Sequence, residues 1–282
     1  MTAVVLGLTT ALLWGISTVS SSRSVRLLSQ YSVVAWAMLI GLAVTLPFAL
    51  ASGVPQELSG ANLVWFGLAG AGNVVGLLIA YAALKVGKVG LVAPILACEG
   101  AVAAVFSAFL GESLAPLVVL ALGIIVIGVV VSSVAPDPEP IEHEQPVRAA
   151  LLATLAAVVF GLGLYATGRL SGELPVAWLL LPPRLGGVIL LAIPLIIARR
   201  LRMTRAALPY VVVTAFAEVL GFLAYAFAAR DSVAVAAVLA SQFATFAAVI
   251  AFLVYRERLG RLQILGVALV VGGVAWLALL QS

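Results

Sequence analysis

Charged side chains are scarce in this chain, because Asp, Glu, Lys and Arg make up only 9% of its 282 residues. Soluble domains carry about 25% of these four residues. Hydrophobic residues reach 64% of the chain, and the mean hydropathy is +1.26. A soluble fold could not bury this much apolar surface, so the composition excludes an ordinary soluble domain.

Residues and motifs that carry enzyme chemistry are equally scarce. The chain has one histidine, His143, which lies in an acidic stretch, and one cysteine, Cys98, which cannot form an intramolecular disulfide. Walker A, HExxH and CxxC motifs are absent from the sequence. The sequence therefore predicts no metal site, no cofactor, no ATPase engine and no serine–histidine hydrolase within the apolar runs, and we do not expect an enzyme.

The small excess of positive charge is explained by where the Lys and Arg residues lie in the sequence. The net charge is +4, which in a soluble protein would suggest a nucleic-acid partner. Here most Lys and Arg residues lie between long apolar runs, where they set the orientation of membrane helices. Nucleic-acid binding is therefore not expected.

What the chain does contain is a series of long apolar runs. A helix needs roughly 20 apolar residues to cross the hydrocarbon core of a lipid bilayer, so 282 residues leave room for about ten spans. We therefore predict an all-α integral membrane fold with ten transmembrane helices. The predicted spans are 3–22, 31–51, 61–84, 89–110, 114–134, 149–168, 175–198, 206–229, 231–254 and 260–280.

The two halves of the sequence resemble each other. At a constant offset of 145 residues, 73–129 aligns with 218–274, and at an offset of 146 the pair Trp14-Gly15 aligns with Phe160-Gly161. The informative matches are Gly76/Gly221, Glu112/Glu257, Gly128/Gly273 and, at the offset of 146, Gly41/Gly187. Since five helices per half is an odd number, the second half must enter the membrane upside down.

The predicted domains follow from this repeat. The first five-helix repeat covers 1–134, an acidic, proline-bearing linker covers 135–147, and the second five-helix repeat covers 148–282. Inverted repeats are a recurrent architecture of secondary transporters, whose substrate sites lie near the membrane midplane between the halves.

Lys and Arg predict the orientation of the chain in the membrane. Twelve of them follow spans 1, 3, 5, 7 and 9, against only Arg169 and Arg230 on the opposite side. This bias places both termini outside the cell. The twelve are Arg23, Arg26, Lys85, Lys88, Arg148, Arg199, Arg200, Arg202, Arg205, Arg256, Arg258 and Arg261.

Several short motifs resemble those of the EamA-type branch of the drug/metabolite transporter (DMT) superfamily. The resemblance is carried by Leu13-Trp14-Gly15, Ala80-Tyr81-Ala82-Ala83-Leu84, Leu110-Gly111-Glu112-Ser113-Leu114, Tyr225-Ala226-Phe227-Ala228-Ala229 and Arg256-Glu257-Arg258-Leu259. It implies ten helices in two inverted repeats, a bacterial inner (plasma) membrane location, and export of amino acids, related metabolites or drugs.

The sequence departs from that family in two respects. The family often has an arginine in the second helix of each repeat, whereas here Met38 takes that place in the first half and Arg184 keeps it in the second. Family members usually have cytoplasmic termini, opposite to the charge bias of this chain.

Three ionisable residues lie near the centres of predicted spans, namely Glu99, Arg184 and Glu218. Each costs roughly 2.5 to 3.5 kcal/mol to place at the bilayer centre, so such residues are candidates for a functional site. Arg184 and Glu218 could equally form a structural ion pair. Glu99 is left without a cationic partner, so it is a candidate for coupling protons or a substrate amine to transport, or for a hydrogen bond to Gln242.

Other polar and aromatic residues complete the candidate site. Asn73 lies at the centre of span 3 and is the repeat counterpart of Glu218, and Gln242 lies at the centre of span 9. Helical spacing adds further candidates on spans 1, 6 and 8, and the family motif adds one on span 3. These are Trp14, Ser17, Tyr165, Tyr225 and Tyr81.

These features together predict a secondary transporter that works by alternating access. Its cargo would be a small amphiphilic metabolite such as an amino acid, and protons are candidate coupling ions. Two alternatives stay open at this point: a membrane-embedded enzyme that modifies lipids with its buried carboxylates, and a non-transporting structural subunit of a membrane assembly.

Overall fold

A computed structural model describes residues 2–99, 102, 116–134, 143–171, 173–231, 240, 242–256 and 259–280 of the chain. Within these ranges the regular secondary structure is entirely helical. The helices are α1 (Thr2–Leu27), α2 (Gln30–Ala51), α3 (Ala61–Val86), α4 (Val89–Leu96), α5 (Pro116–Val134), α6 (Pro146–Ser171), the interrupted α7 (Val176–Ile197), α8 (Leu208–Asp231), α9 (Phe243–Tyr255) and α10 (Arg261–Leu280).

The helices have the length and apolarity that membrane spans need. In the described ranges, α1, α2, α3, α6, α7 and α8 are each long and apolar enough to cross a bilayer. Their outward faces expose large apolar side chains such as Phe48, Leu151 and Ile197, which suits contact with lipid. The prediction of an all-α, multi-pass integral membrane protein is confirmed.

Most helix ends agree with the predicted spans within about three residues. The larger differences are that α4 ends at Leu96, against the predicted 110, and that α9 begins at Phe243, against the predicted 231. A third difference is the end of α1. It continues to Leu27, beyond the predicted end at residue 22. Its serine-rich end is buried inside the bundle, and the Ser24 hydroxyl donates a hydrogen bond to the Ser20 carbonyl. The polar residues therefore suggested that the helix ends at residue 22, but packing inside the bundle extends it to Leu27. The Glu112/Glu257 match of the sequence repeat lies outside the described residues.

Helix α7 is broken where proline removes backbone donors. It consists of Val176–Leu179, Leu181–Gly187, a π-helical turn at Val188–Ala192, and Ile193–Ile197. Pro182 and Pro183 lie at the start of the second piece, and neither can donate a backbone hydrogen bond. This piece holds Arg184 inside the bundle, where only 1% of its surface is exposed.

The two halves of the chain make equivalent contacts with each other. A methyl group at Gly76 in α3 would come within 2.6 Å of the Phe160 ring in α6. A methyl group at Gly221 in α8 would come within 2.5 Å of the Trp14 ring in α1. The sequence repeat equates Gly76 with Gly221 and Phe160 with Trp14, so one contact is the other with the two halves exchanged.

The same exchange holds at three other places. At each place a glycine of one half packs on a residue of the other half. The repeat counterpart of that glycine packs on the repeat counterpart of that residue. These places are Gly128 on Val270 with Gly273 on Ile125, Gly15 on Ala247 with Gly161 on Val102, and Gly41 on Arg184 with Gly187 on Met38.

Reciprocal contacts of this kind require a two-fold axis between the repeats. Helices α5 and α10 are equivalent in the two repeats and pack directly against each other at this axis. Helices α3 and α6 form the same kind of contact as α8 and α1. The prediction of two inverted repeats is confirmed at the level of individual glycine contacts.

Gly128 provides a test of the contact between α5 and α10. A methyl group there would lie 2.7 Å from the Gly266 carbonyl oxygen and 2.8 Å from the Val270 amide nitrogen, and neither backbone atom can move aside. We expect Gly128→Ala to destabilise the protein by roughly 1 to 3 kcal/mol through overpacking. The melting temperature in detergent measures this effect.

The matched control lies on the same helix. A methyl group at Gly123 would meet nothing within 4 Å among the described residues. Gly123→Ala should therefore leave the melting temperature unchanged or raise it slightly, since alanine favours helix more than glycine does. Equal losses in both variants would show that the two helices are not in close contact at Gly128.

Candidate functional site

A cavity of about 100 Å³ lies between the repeats. Residues of α1, α3, α6, α8 and α9 line it, together with Leu96 at the end of α4 and Glu99 just beyond it. The lining residues are Trp14, Ser17, Thr18, Ser21, Asn73, Leu77, Ala80, Tyr81, Leu84, Leu96, Glu99, Phe160, Glu218, Phe222 and Phe243. Both halves of the chain therefore contribute to one partly open, mostly apolar space.

Two carboxyl groups face this cavity, one from each half. Glu99 follows the C-terminal end of α4, whereas Glu218 lies in the middle of α8 and is only 7% exposed. Tyr81 is close enough to Glu218, and Tyr225 to Glu99, for a direct electrostatic interaction. Among the described residues that line the cavity there is neither Lys nor Arg.

An aromatic cluster forms one wall and is centred on Trp14. The Trp14 ring centroid lies 5.0 Å from that of Phe222, 6.0 Å from that of Tyr225 and 6.3 Å from that of Phe243. The contacts with Phe222 and Phe243 are edge-to-face, and the contact with Tyr225 is stacked, as favourable aromatic pairs are. Gly221 makes this arrangement possible because it leaves room for the indole ring.

Three polar atoms at the cavity are buried without a hydrogen-bond partner among the described residues. These atoms are the Tyr81 hydroxyl oxygen, Asn73 Oδ1 and Trp14 Nε1. Ser21 lies beside Tyr81, but its own hydroxyl donates to the Thr18 carbonyl at 2.9 Å. Buried polar groups are nearly always satisfied, so these three atoms are available to a ligand or to water.

Arg184 contacts a residue of this site, although it is not itself among the residues that line the cavity. Its guanidinium carbon lies 5.0 Å from the centroid of the Phe222 ring, and its Nη1 and Nη2 atoms have no hydrogen-bond partner among the described residues. Glu218 interacts with it electrostatically. The structural ion pair considered from the sequence is therefore a Coulomb interaction without a hydrogen bond.

The structure brings together six of the ten candidate residues at the cavity, namely Trp14, Ser17, Asn73, Tyr81, Glu99 and Glu218. Tyr225 stacks on Trp14 from outside the lining, and Arg184 contacts Phe222. Tyr165 instead packs against Trp65, with 5.8 Å between the two ring centroids. Gln242 precedes α9, where its Oε1 accepts a hydrogen bond from the Thr245 hydroxyl at 3.5 Å.

Sequence reasoning missed three aromatic residues of the lining, which are Phe160, Phe222 and Phe243. Two signals could have found them. Phe222 is four residues after Glu218 and therefore on the same helix face, and Phe160 is the repeat counterpart of Trp14. Phe243 carried no comparable signal, because an isolated phenylalanine in an apolar span is most often a packing residue.

Gly221 offers a test of how the aromatic wall is held. A methyl group at this position would lie 2.5 Å from Trp14 Cδ1 and 2.6 Å from Nε1, so the indole ring must move. We expect Gly221→Ala to reduce the near-UV circular dichroism signal of the aromatic cluster while the far-UV helical signal is kept. Gly67→Ala is the control, because a methyl group there meets nothing within 4 Å among the described atoms. An unchanged near-UV spectrum in Gly221→Ala would show that the glycine does not position Trp14.

A helical membrane protein whose two inverted repeats both line a cavity has the architecture found among secondary carriers. The family model described as the EamA-like transporter family matches residues 1–134 and 147–279. The chain therefore belongs to the EamA-like transporter family, as its motifs suggested.

Solved structures add a likeness in fold. One of them, described only as the crystal structure of a protein, has a TM-score of 0.67 and 22% sequence identity to this chain. The alignment covers 99% of this chain and 96% of that one. This similarity shows the fold and nothing finer. No protein with a curated description matches the chain significantly.

Proposed function

We propose that the protein is a secondary active transporter of small amphiphilic metabolites, amino acids among them, and that it works by alternating access. The observation that carries this proposal is the cavity at the junction of the repeats, with one carboxyl group from each half facing it. A site shared by two inverted repeats can be exposed to either side of the membrane when one repeat rocks against the other.

The chemistry of the lining supports a solute rather than a structural role. An apolar wall with a few convergent polar groups is the usual composition of a small-molecule site. Carboxyl groups inside a membrane are costly, and a merely structural protein gains little from directing two of them at a cavity. Transport out of the cell, without hydrolysis or modification of the cargo, is the direction we propose by analogy with the family.

The proposed orientation places both termini outside the cell, in the inner membrane of a bacterium, with the two repeats divided by the linker at 135–147. This proposal rests on the twelve Lys and Arg residues that follow predicted spans 1, 3, 5, 7 and 9. Reporter fusions at Ser282 test it, because a cytoplasmic reporter signal would reverse the orientation.

Counterflow in proteoliposomes tests the transport proposal. Proteoliposomes that contain the purified protein and are preloaded with an unlabelled amino acid or amine should take up the labelled solute faster than protein-free liposomes. This uptake should saturate as the solute concentration rises. Product formation from lipid extracts without vectorial flux would instead show a lipid-modifying enzyme. Neither flux nor product across a broad solute panel would favour a structural subunit.

A further inference from the structure

The charges around the cavity do not balance. Glu99 and Glu218 supply two carboxyl groups, and Arg184 supplies the only guanidinium that the described residues bring to this depth. Arg184 already interacts with Glu218 and with the Phe222 ring. When all three groups are ionised, one negative charge remains uncompensated in a low-dielectric space, and a bound monovalent cation would neutralise it.

Two of the three free hydrogen-bonding atoms of the cavity can accept. Asn73 Oδ1 can only accept, the Tyr81 hydroxyl can accept or donate, and Trp14 Nε1 can only donate; all three are buried without a partner among the described residues. The Ser17 hydroxyl donates to the Thr214 carbonyl at 3.4 Å, which leaves its lone pairs available. An ammonium group has three donors and no acceptor, so it complements the accepting atoms. A carboxylate ligand would find donors in Trp14 Nε1 and the Tyr81 hydroxyl but would lie beside the carboxyl groups of Glu99 and Glu218.

The aromatic wall suits the same ligand. Trp14, Tyr81, Phe160, Phe222 and Phe243 all line the cavity. Aromatic rings attract cations through their negative faces and pack well against an apolar body, and cages of such rings recognise organic ammonium ions. The volume of about 100 Å³ limits the body to a compact group.

We infer that the cavity binds an organic monocation, specifically a compact amine with an apolar or aromatic body, in preference to a zwitterionic amino acid or an anion. Glu99 holds the ammonium group, since Glu218 is already paired electrostatically with Arg184. This inference rests on the proposed transport function and narrows its substrate class. The unpartnered Tyr81 hydroxyl, in a side chain only 3% exposed, is an observation independent of the carboxylates that also points to a polar ligand.

A matched ligand series tests the inference on the purified full-length protein in detergent. The four probes share one body and differ in charge: 2-phenylethylamine is a cation, phenylalanine a zwitterion, 3-phenylpropanoate an anion and 2-phenylethanol neutral. We expect the amine to raise the melting temperature and to bind at least tenfold more tightly than the other three, because a ligand stabilises the state it binds. Equal or tighter binding of any other probe, or binding of none of them at millimolar concentration, would overturn the inference.

Variants connect the preference to the site. Glu99→Gln should weaken amine binding at least tenfold and leave 2-phenylethanol unaffected, whereas Glu57→Gln, an exposed carboxyl in the connector between α2 and α3, should bind the amine as the wild type does. Unchanged amine binding in Glu99→Gln overturns the assignment of that residue.

Flux separates the two proposals. If the amine binds but shows no saturable counterflow in proteoliposomes, the ligand class stands and the transport function fails. If an anion or a zwitterion is carried while the amine neither binds nor competes, the transport function stands and the ligand class fails.

Discussion

Glu99→Gln is expected to abolish pH-gradient-stimulated flux of an amine-bearing cargo while the protein folds as the wild type does. Glutamine keeps the size and the hydrogen-bonding capacity of glutamate but has no charge. A hydrogen bond to a charged group contributes about 1.5 to 3 kcal/mol, so we expect cargo binding to weaken by roughly 10- to 150-fold. Flux in proteoliposomes across a range of imposed pH gradients measures the effect.

The controls for Glu99 separate folding from transport. The elution profile and the melting temperature of Glu99→Gln should match those of the wild type, because the substitution removes an unfavourable buried charge and no packing atoms. Glu57→Gln should leave flux intact, since that carboxyl is exposed outside the cavity. Wild-type flux of a carried substrate at every pH in Glu99→Gln would return this residue to a packing role.

Arg184→Met is expected to lower stability severely, and a second substitution at Glu218 is expected to restore most of the loss. Methionine is the matched choice because Met38 occupies the equivalent position of the first repeat, where it packs on Gly187. Removing one member of a buried charge pair leaves the other uncompensated and typically costs about 3 to 5 kcal/mol. Folded yield and melting temperature measure the loss.

The double variant decides whether the two charges are coupled. Arg184→Met combined with Glu218→Gln leaves no ion at either position, so it should be more stable than either single variant. Arg205→Met, at an exposed position in the connector before α8, controls for the loss of a positive charge as such. If the loss of folded yield in the double variant equals the sum of the losses in the two single variants, the charges act independently.

Much of the fold could be predicted from the sequence, because the bilayer restricts the possible structures. Long apolar runs can only be helices there, and their number and length follow from the hydrocarbon thickness. The glycine matches were the most informative evidence for the sequence repeat, and the structure explains why glycine occurs at these positions. Gly76 and Gly221 are equivalent in sequence because each accommodates a ring from the other half.

The candidate site was predictable in part. Charges at mid-membrane depth identified Glu99 and Glu218, since their cost limits where they occur. Gln242 had the same depth and Tyr165 was chosen by helical spacing, but neither signal determines which way a side chain points, and neither residue is among the described residues that line the cavity. Whether the residues at the cavity bind a substrate stays a proposal.

The surroundings of Arg184 in the broken helix α7 could not be predicted from the sequence. Consecutive prolines such as Pro182 and Pro183 disturb a helix, but the consequence for Arg184 depends on how α2 and α8 pack around it. The guanidinium is held between Gly41 and the Phe222 ring, two neighbours that are distant in sequence. Non-local contacts of this kind have no local sequence signal.

The reciprocal glycine contacts have a consequence for the alternating access that we propose. Because each half makes the contacts of the other, a second conformation that faces the opposite side of the membrane can be constructed by giving each half the backbone of its counterpart. Equivalent pairs such as Gly76 with Phe160 and Gly221 with Trp14 would then trade geometries, so their contributions to the energy difference largely cancel. The balance between the two conformations would rest on the pairs that differ, above all Arg184 on Gly41 against Met38 on Gly187.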